Sequence, residues 1–172
     1  MREITVAIAG NPNVGKSTIF NALTGANQHV GNWPGKTVEK KTGQFRHGNI
    51  KFNMVDLPGT YSLSAFSPEE VVAREYIIQE KPNIVVIVAD ATNLERNLYL
   101  TVQILEMAVP AMLVLNMMDA AQGRSIQIDV AALQEKLGIP VVTAVARTTN
   151  GLHDMISTML KLSQMGMQHA AG

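Results

Sequence analysis

The segment Gly10-Asn11-Pro12-Asn13-Val14-Gly15-Lys16-Ser17 constrains this chain more than any other stretch of it. It fits G-x-x-x-x-G-K-[ST], and its surroundings fit too. Ile4 to Ala9 reads as a short apolar strand, and Ile19, Phe20 and Leu23 line one face of a helix expected from about Lys16 to Thr24, with Gly25 as its stop. Glycines let the backbone curl until several N–H groups point at one anion, and the helix N-terminus adds partial positive charge at the same spot. A phosphate cradle is therefore expected from Gly10 through Ser17 and Thr18, with Lys16 reaching the β- and γ-phosphates and the Ser17 hydroxyl on Mg²⁺. The competing reading, a glycine-rich turn matched by chance, is disfavoured by the flanking strand and helix.

The rest of the chain repeats this alternation. Residues 26 to 37 carry Gly31, Pro34 and Gly35 without a period and read as a loop. Thr37 to Arg46 and Ile50 to Asp56 read as a hairpin around His47-Gly48-Asn49. Ser67-Pro68-Glu69-Glu70 starts a helix with a capping box that runs to about Gln79. Ile84 to Asp90 and Ala111 to Asn116 are continuous apolar runs, as in strands buried on both faces. Asn93 is placed to cap a helix with Leu94, Leu98, Val102 and Leu105 on one face, and Asp129 to cap another that ends at Leu137-Gly138. Val141 to Ala144 is the last strand, and Leu152, Met155, Ile156, Met159 and Leu160 face a closing helix. The order implies an α/β fold of the P-loop NTPase class: a mostly parallel sheet of about six strands, one antiparallel edge strand, and helices on both faces. Residues 1–164 are read as one domain and 165–172 as a patternless tail, disordered or a boundary of a longer protein.

Composition narrows the function classes. Among 172 residues, 47% are hydrophobic and 16% charged, which excludes a disordered chain. The net charge of zero does not suggest a nucleic-acid partner, and the lack of cysteine removes disulfides, zinc fingers and iron–sulfur ligation. No apolar run approaches the roughly 20 residues of a membrane span. The domain is therefore expected to be soluble and cytoplasmic.

Further motifs complete a nucleotide site. Asp56-Leu57-Pro58-Gly59 ends a strand, where an Asp can hold Mg²⁺ and a Gly N–H can approach the γ-phosphate; a plain strand-ending turn is the alternative. Thr37, where the loop meets the next strand, is the candidate switch threonine, with Thr24 and Thr42 as competitors. Asn116-Met117-Met118-Asp119 follows a buried strand. The Asp119 carboxylate can accept from guanine N1–H and its exocyclic amine, a donor pair that adenine lacks. Asn116 can brace the loop, and Met117, where a Lys is usual, can cover a base face with its stem. After the last strand, Val145-Ala146-Arg147 offers the Ala146 N–H to guanine O6.

These motifs, with the loop His29-Val30-Gly31-Asn32-Trp33-Pro34-Gly35-Lys36-Thr37-Val38-Glu39 and the run Asp90 to Leu100, resemble the N-terminal G domain of the ferrous iron transport protein B family over about residues 3 to 162. The resemblance implies a Ras-like G domain that binds and hydrolyses GTP on the cytoplasmic side of the inner membrane. It implies a helical domain and a polytopic Fe²⁺-carrying membrane region as partners, and it leaves a homo-oligomer open. It further implies K⁺ in place of an arginine finger, held by Asn13 and by the carbonyls of Gly31 and Trp33. Lys16, Asn13, Thr37 and Gly59 are then the catalytic group. Thr60 stands where Ras-like proteins carry a water-orienting Gln and is too short for that reach, so slow turnover is expected. A free-standing GTPase of ribosome or RNA assembly is the alternative, and a non-hydrolysing nucleotide-dependent module is a third. His29, His47, His153 and His169 show no metal-ligand spacing.

Overall fold

The computed structural model describes residues 1–170. Seven strands form one sheet in the order β2-β3-β4-β1-β5-β6-β7. They are β1 (Arg2–Gly10), β2 (Gln28–Asn32), β3 (Glu39–His47), β4 (Ile50–Asp56), β5 (Ile84–Asp90), β6 (Ala111–Asn116) and β7 (Val141–Thr143). From β4 across to β7 all pairing is parallel; β3 runs antiparallel to both of its neighbours. The expected hairpin is present, and one further strand, β2, extends it to make seven. β2 falls inside the stretch read as loop. At the sheet edge four of its five residues are exposed, so it carries no apolar alternation to read.

Alternation along β1 splits the core. Ile4, Val6 and Ile8 face α1 (Lys16–Thr24) and α6 (Leu152–Ala170), while Ala7 and Ala9 face α2 (Pro68–Glu80) and α3 (Leu94–Glu106). Two short helices, α4 (Met118–Gly123) and α5 (Val130–Leu137), complete the latter layer. Met155 and Met159 are the buried apolar side chains of the closing helix among the described residues, with Ser163 buried beside them. That helix runs on through Met165 to Ala170, where the sequence suggested a patternless tail; Ala171 and Gly172 lie outside the described residues.

Local signals held where backbone chemistry decides them and moved where it competes. Ser67 accepts from the Glu70 N–H as a cap should, at 3.1 Å, and its hydroxyl also meets Glu70 Oε1 at 3.2 Å, while Glu70 Oε2 accepts from Ser62 Oγ and the Ser64 N–H. Asn93 makes no capping bond to α3; Asp90 caps the 3-10 turn Ala91–Asn93 that leads into it, accepting from Thr92 N–H at 2.8 Å. The buried stripe of α3 is Asn97, Leu100, Thr101 and Ile104, with Leu94, Leu98 and Leu105 flanking it and Val102 exposed. Thr101 Oγ1 donates to Asn97 O and Asn97 Nδ2 to Asn93 O, while Asn97 Oδ1 stays buried without a partner; two polar residues on the inward face hid it from an apolar pattern.

Candidate nucleotide-binding site

All the expected motifs except the loop of residues 29–39 lie where parallel strands end, at the switch point where β1 has β4 on one side and β5 on the other. Asn11, Pro12, Asn13, Gly15, Lys16, Ser17, Thr18 and Gly59 line one cavity there, of about 410 Å³. A larger one, about 910 Å³, lies at the opposite end of the sheet between α2 and α6 and contains none of the motif residues. The cradle has a strained backbone, with Asn13 at φ 64° and Gly15 at φ 86°. Gly15 is needed twice, for its left-handed conformation and because a methyl there would overlap the Asn116 side-chain amide. Val14 is buried and anchors the loop, while Asn13, Ser17 and Thr18 are exposed toward the opening.

The strand-end segment joins this cradle directly. Leu57 N–H donates to Ile8 O at 2.9 Å and Thr60 N–H to Gly10 O at 3.1 Å. Gly59 lies close against Pro12, where an added Cβ would sit 3.2 Å from its Cα. Asp56 is 9% exposed and ion-paired with Lys16. Burial pushes the Asp56 carboxyl above its usual range, opposed by Lys16 and then by Lys41. A hydroxyl at Ser17 and one carboxylate at Asp56 form a hard-oxygen donor set that fits Mg²⁺, which is commonly held by one or two carboxylates and the phosphates of its nucleotide. No group of three or more acidic, His or Cys side chains that would suit another metal occurs among the described residues. Thr60 is 5% exposed and is tied back by its N–H, so it is not presented to the cavity as a water-orienting side chain.

The base end is assembled by one amide. Asn116 Nδ2 donates to Val14 O at 2.9 Å, and Asn116 Oδ1 accepts from Ala146 N–H at 2.9 Å, joining three loops far apart in sequence. The Ala146 N–H expected to meet guanine O6 is thus engaged by Asn116. Val145 lies at the start of the 3-10 turn Ala146–Thr148. Met117 is left-handed, φ 62°, and starts α4 with Asp119 in its first turn. Asp119 is half-exposed rather than buried, and the Arg147 guanidinium bonded to it holds its carboxyl below the ordinary range.

The remaining predicted residues stand elsewhere. Gly31 is paired across the ladder with Lys40. Trp33 is 8% exposed, packs edge-on against Tyr76 with ring centroids 5.5 Å apart, and lines a groove beside α2. Its carbonyl accepts from Lys36 N–H at 3.0 Å, within a turn closed by Trp33 N–H to Val38 O at 2.9 Å. Thr37 is exposed in that turn and does not line the phosphate cavity. Of the residues expected to hold K⁺, Asn13 lines the cavity, Gly31 is paired in the sheet edge, and the Trp33 carbonyl accepts from Lys36.

Two features escaped the motif search. Lys41 stands opposite Asp56 in the β3–β4 register and adds a second cation near it. The turn at Gly48-Asn49 sets that pairing, so the signal was in the hairpin. The Arg147–Asp119 pair joins residues 28 apart and has no spacing signature.

Comparison with known proteins follows the same residues. A family model described as ferrous iron transport protein B matches residues 4–159. The Fe(2+) transport protein A/Fe(2+) transporter FeoB fusion protein of Porphyromonas gingivalis is 49% identical over 162 residues; the match covers 94% of this chain but only 19% of that protein. The FeoB G-domain structure from Methanococcus jannaschii matches with a TM-score of 0.86 and 48% identity, covering 95% of this chain and 99% of that one. The cytosolic domain of the T. maritima FeoB transporter in its GMPPNP form matches at 0.91 and 45% identity, covering 94% and 64%.

Proposed function

Because this chain belongs to the ferrous iron transport protein B family, we propose that it is the GTP-binding, GTP-hydrolysing regulatory domain of a membrane transporter for Fe²⁺. The observation that carries the reading is the Asn116 bridge, which holds the Asp119 loop at a set distance from the phosphate cradle. A guanosine triphosphate spans the two: Asp119 takes the purine donor pair, and the Gly10–Ser17 backbone takes the phosphates. Lys16 would then turn from Asp56 to the β- and γ-phosphates, and Asp56 and Ser17 would hold Mg²⁺, which would supply charge neutralisation. The T. maritima relative solved in a GMPPNP form, an analogue of GTP, supports a nucleoside triphosphate as the ligand.

Turnover is slow in this reading, because Thr60 is buried and the cavity lining carries no Gln, Glu or His. Thr37 joins the Mg²⁺ only if residues 28–38 leave their present seat. The same movement would bring the Gly31 and Trp33 carbonyls toward Asn13, so K⁺ stimulation belongs to that rearranged state. The partners are the helical and membrane domains of the full transporter, with this domain at the cytoplasmic face of the inner membrane. No helix among the described residues is long and apolar enough to cross a membrane.

Calorimetry on nucleotide-free protein tests the binding claim: GTP and GDP give heat and ATP does not. The opposite pattern would overturn it. Phosphate release with Mg²⁺, in K⁺ and then in Na⁺, tests hydrolysis. Asn13→Ala is expected to keep GTP binding and lose the difference between the two salts.

A further inference from the structure

Arg147 comes from the loop after β7, and its guanidinium bonds the carboxylate of Asp119. Neither backbone is loose. The Ala146–Thr148 turn is closed by Thr148 N–H to Val145 O at 3.0 Å and Thr149 N–H to Ala146 O at 3.1 Å, and an isolated bridge pairs Val145 with Asn150. On the other side, Met118 N–H donates to Ala144 O at 3.3 Å, so the first turn of α4 is tied to the end of the last strand. The two side chains meet at little cost in backbone ordering. Both keep access to water, at 73% and 36% exposure for Arg147 and Asp119, so the pair can open.

We infer that Arg147 is an internal competitor of the purine, a residue that occupies the guanine reader until a guanine displaces it. The inference rests on the reading of Asp119 as the residue that takes the purine donor pair. A guanidinium edge presents adjacent N–H donors to a carboxylate, and guanine presents the same kind of pair from N1–H and its amine. Guanine entry therefore exchanges like for like. Adenine has no such pair and leaves Arg147 on Asp119. The competition lowers affinity for guanine nucleotides and leaves adenine nucleotides untouched. For a pair this exposed the expected effect is about two- to five-fold, and it fades as salt screens the charges.

Titration of GDP and ADP into the wild-type protein, Arg147→Ala and Arg147→Lys tests this, at low salt and at about 1 M, where the screening length is about 3 Å. Arg147→Ala is expected to bind GDP about two- to five-fold tighter at low salt, with the gap closing at high salt. Arg147→Lys should stay near wild type, and ADP should not distinguish the three. Equal or weaker GDP binding by Arg147→Ala, a gain shared by ADP, or a gap that ignores salt would overturn the competitor role while leaving GDP recognition intact. If wild type and variants all fail to bind GDP, the guanine reading itself fails and the competitor role falls with it.

Discussion

The cradle with its base wall and the segment of residues 28–38 differ in how they are held. The cradle is fixed from several sides: Gly15 fits under Asn116, Asn116 bonds Val14 and Ala146, and Thr60 ties back to Gly10. Each of these contacts is made within the nucleotide site itself. The segment 28–38 is held by contacts outside the site, through an edge ladder to β3, the Gln28 amide on α1, and the buried Trp33 and Val38 side chains. An edge strand has one bonded side, and two side chains of this segment are a small part of the core. The difference teaches that binding and response are divided: one region is built ready for phosphate, and the other has a resting place it can leave.

The sharpest way to break this division is at the base wall. Asp119→Ala removes two charge-assisted acceptors, and GTP affinity should fall by about 10²-fold or more with ATP unaffected, as measured by calorimetry. Asn116→Ala strands a carbonyl and an N–H in the interior; urea denaturation should show a loss of about 2–4 kcal/mol. If that variant is as stable as wild type, the cradle is not braced as described. On the other side of the comparison, Trp33 is the only tryptophan in the chain, so intrinsic fluorescence reads residues 28–38 directly. GMPPNP with Mg²⁺ should shift its emission to the red and GDP should not; an identical spectrum in both would place the moving part elsewhere. The indole N–H of Trp33 is buried without a partner, so Trp33→Phe gives up no hydrogen bond and should cost about 1 kcal/mol or less.

The smallest effect concerns pH. Burial, and then Glu80, push the Tyr76 hydroxyl up to about 12. Between its ordinary value of about 10 and that point, the unfolded chain releases the proton and the folded one keeps it. The unfolded state binds fewer protons, so stability falls as pH rises through this window. Tyr76→Phe should flatten that slope in denaturation midpoints taken above pH 10.

What could be read in advance followed from how much each element depends on its own residues. Ile84 to Asp90 and Ala111 to Asn116 are buried on both faces, and their apolar runs say so. The P-loop was legible because its chemistry demands glycines and a lysine at set spacing. β2 was not, since an exposed edge strand can carry almost any side chain. The inward face of α3 was hidden by Asn97 and Thr101, whose donors find their carbonyl partners only once the helix exists. The seat of Trp33 and the partner of Asp119 depend on surfaces brought together by the whole sheet, and no local pattern encodes them.

The Asn116 amide also sets an order in time. Its two bonds reach back 102 residues to Val14 and forward 30 to Ala146. During synthesis the glycine-rich turn leaves the ribosome early, yet its clamp is finished only when the last strand and the loop beyond it have emerged. Until Ala146 has emerged, the domain has the lysine and the glycines but not the completed clamp.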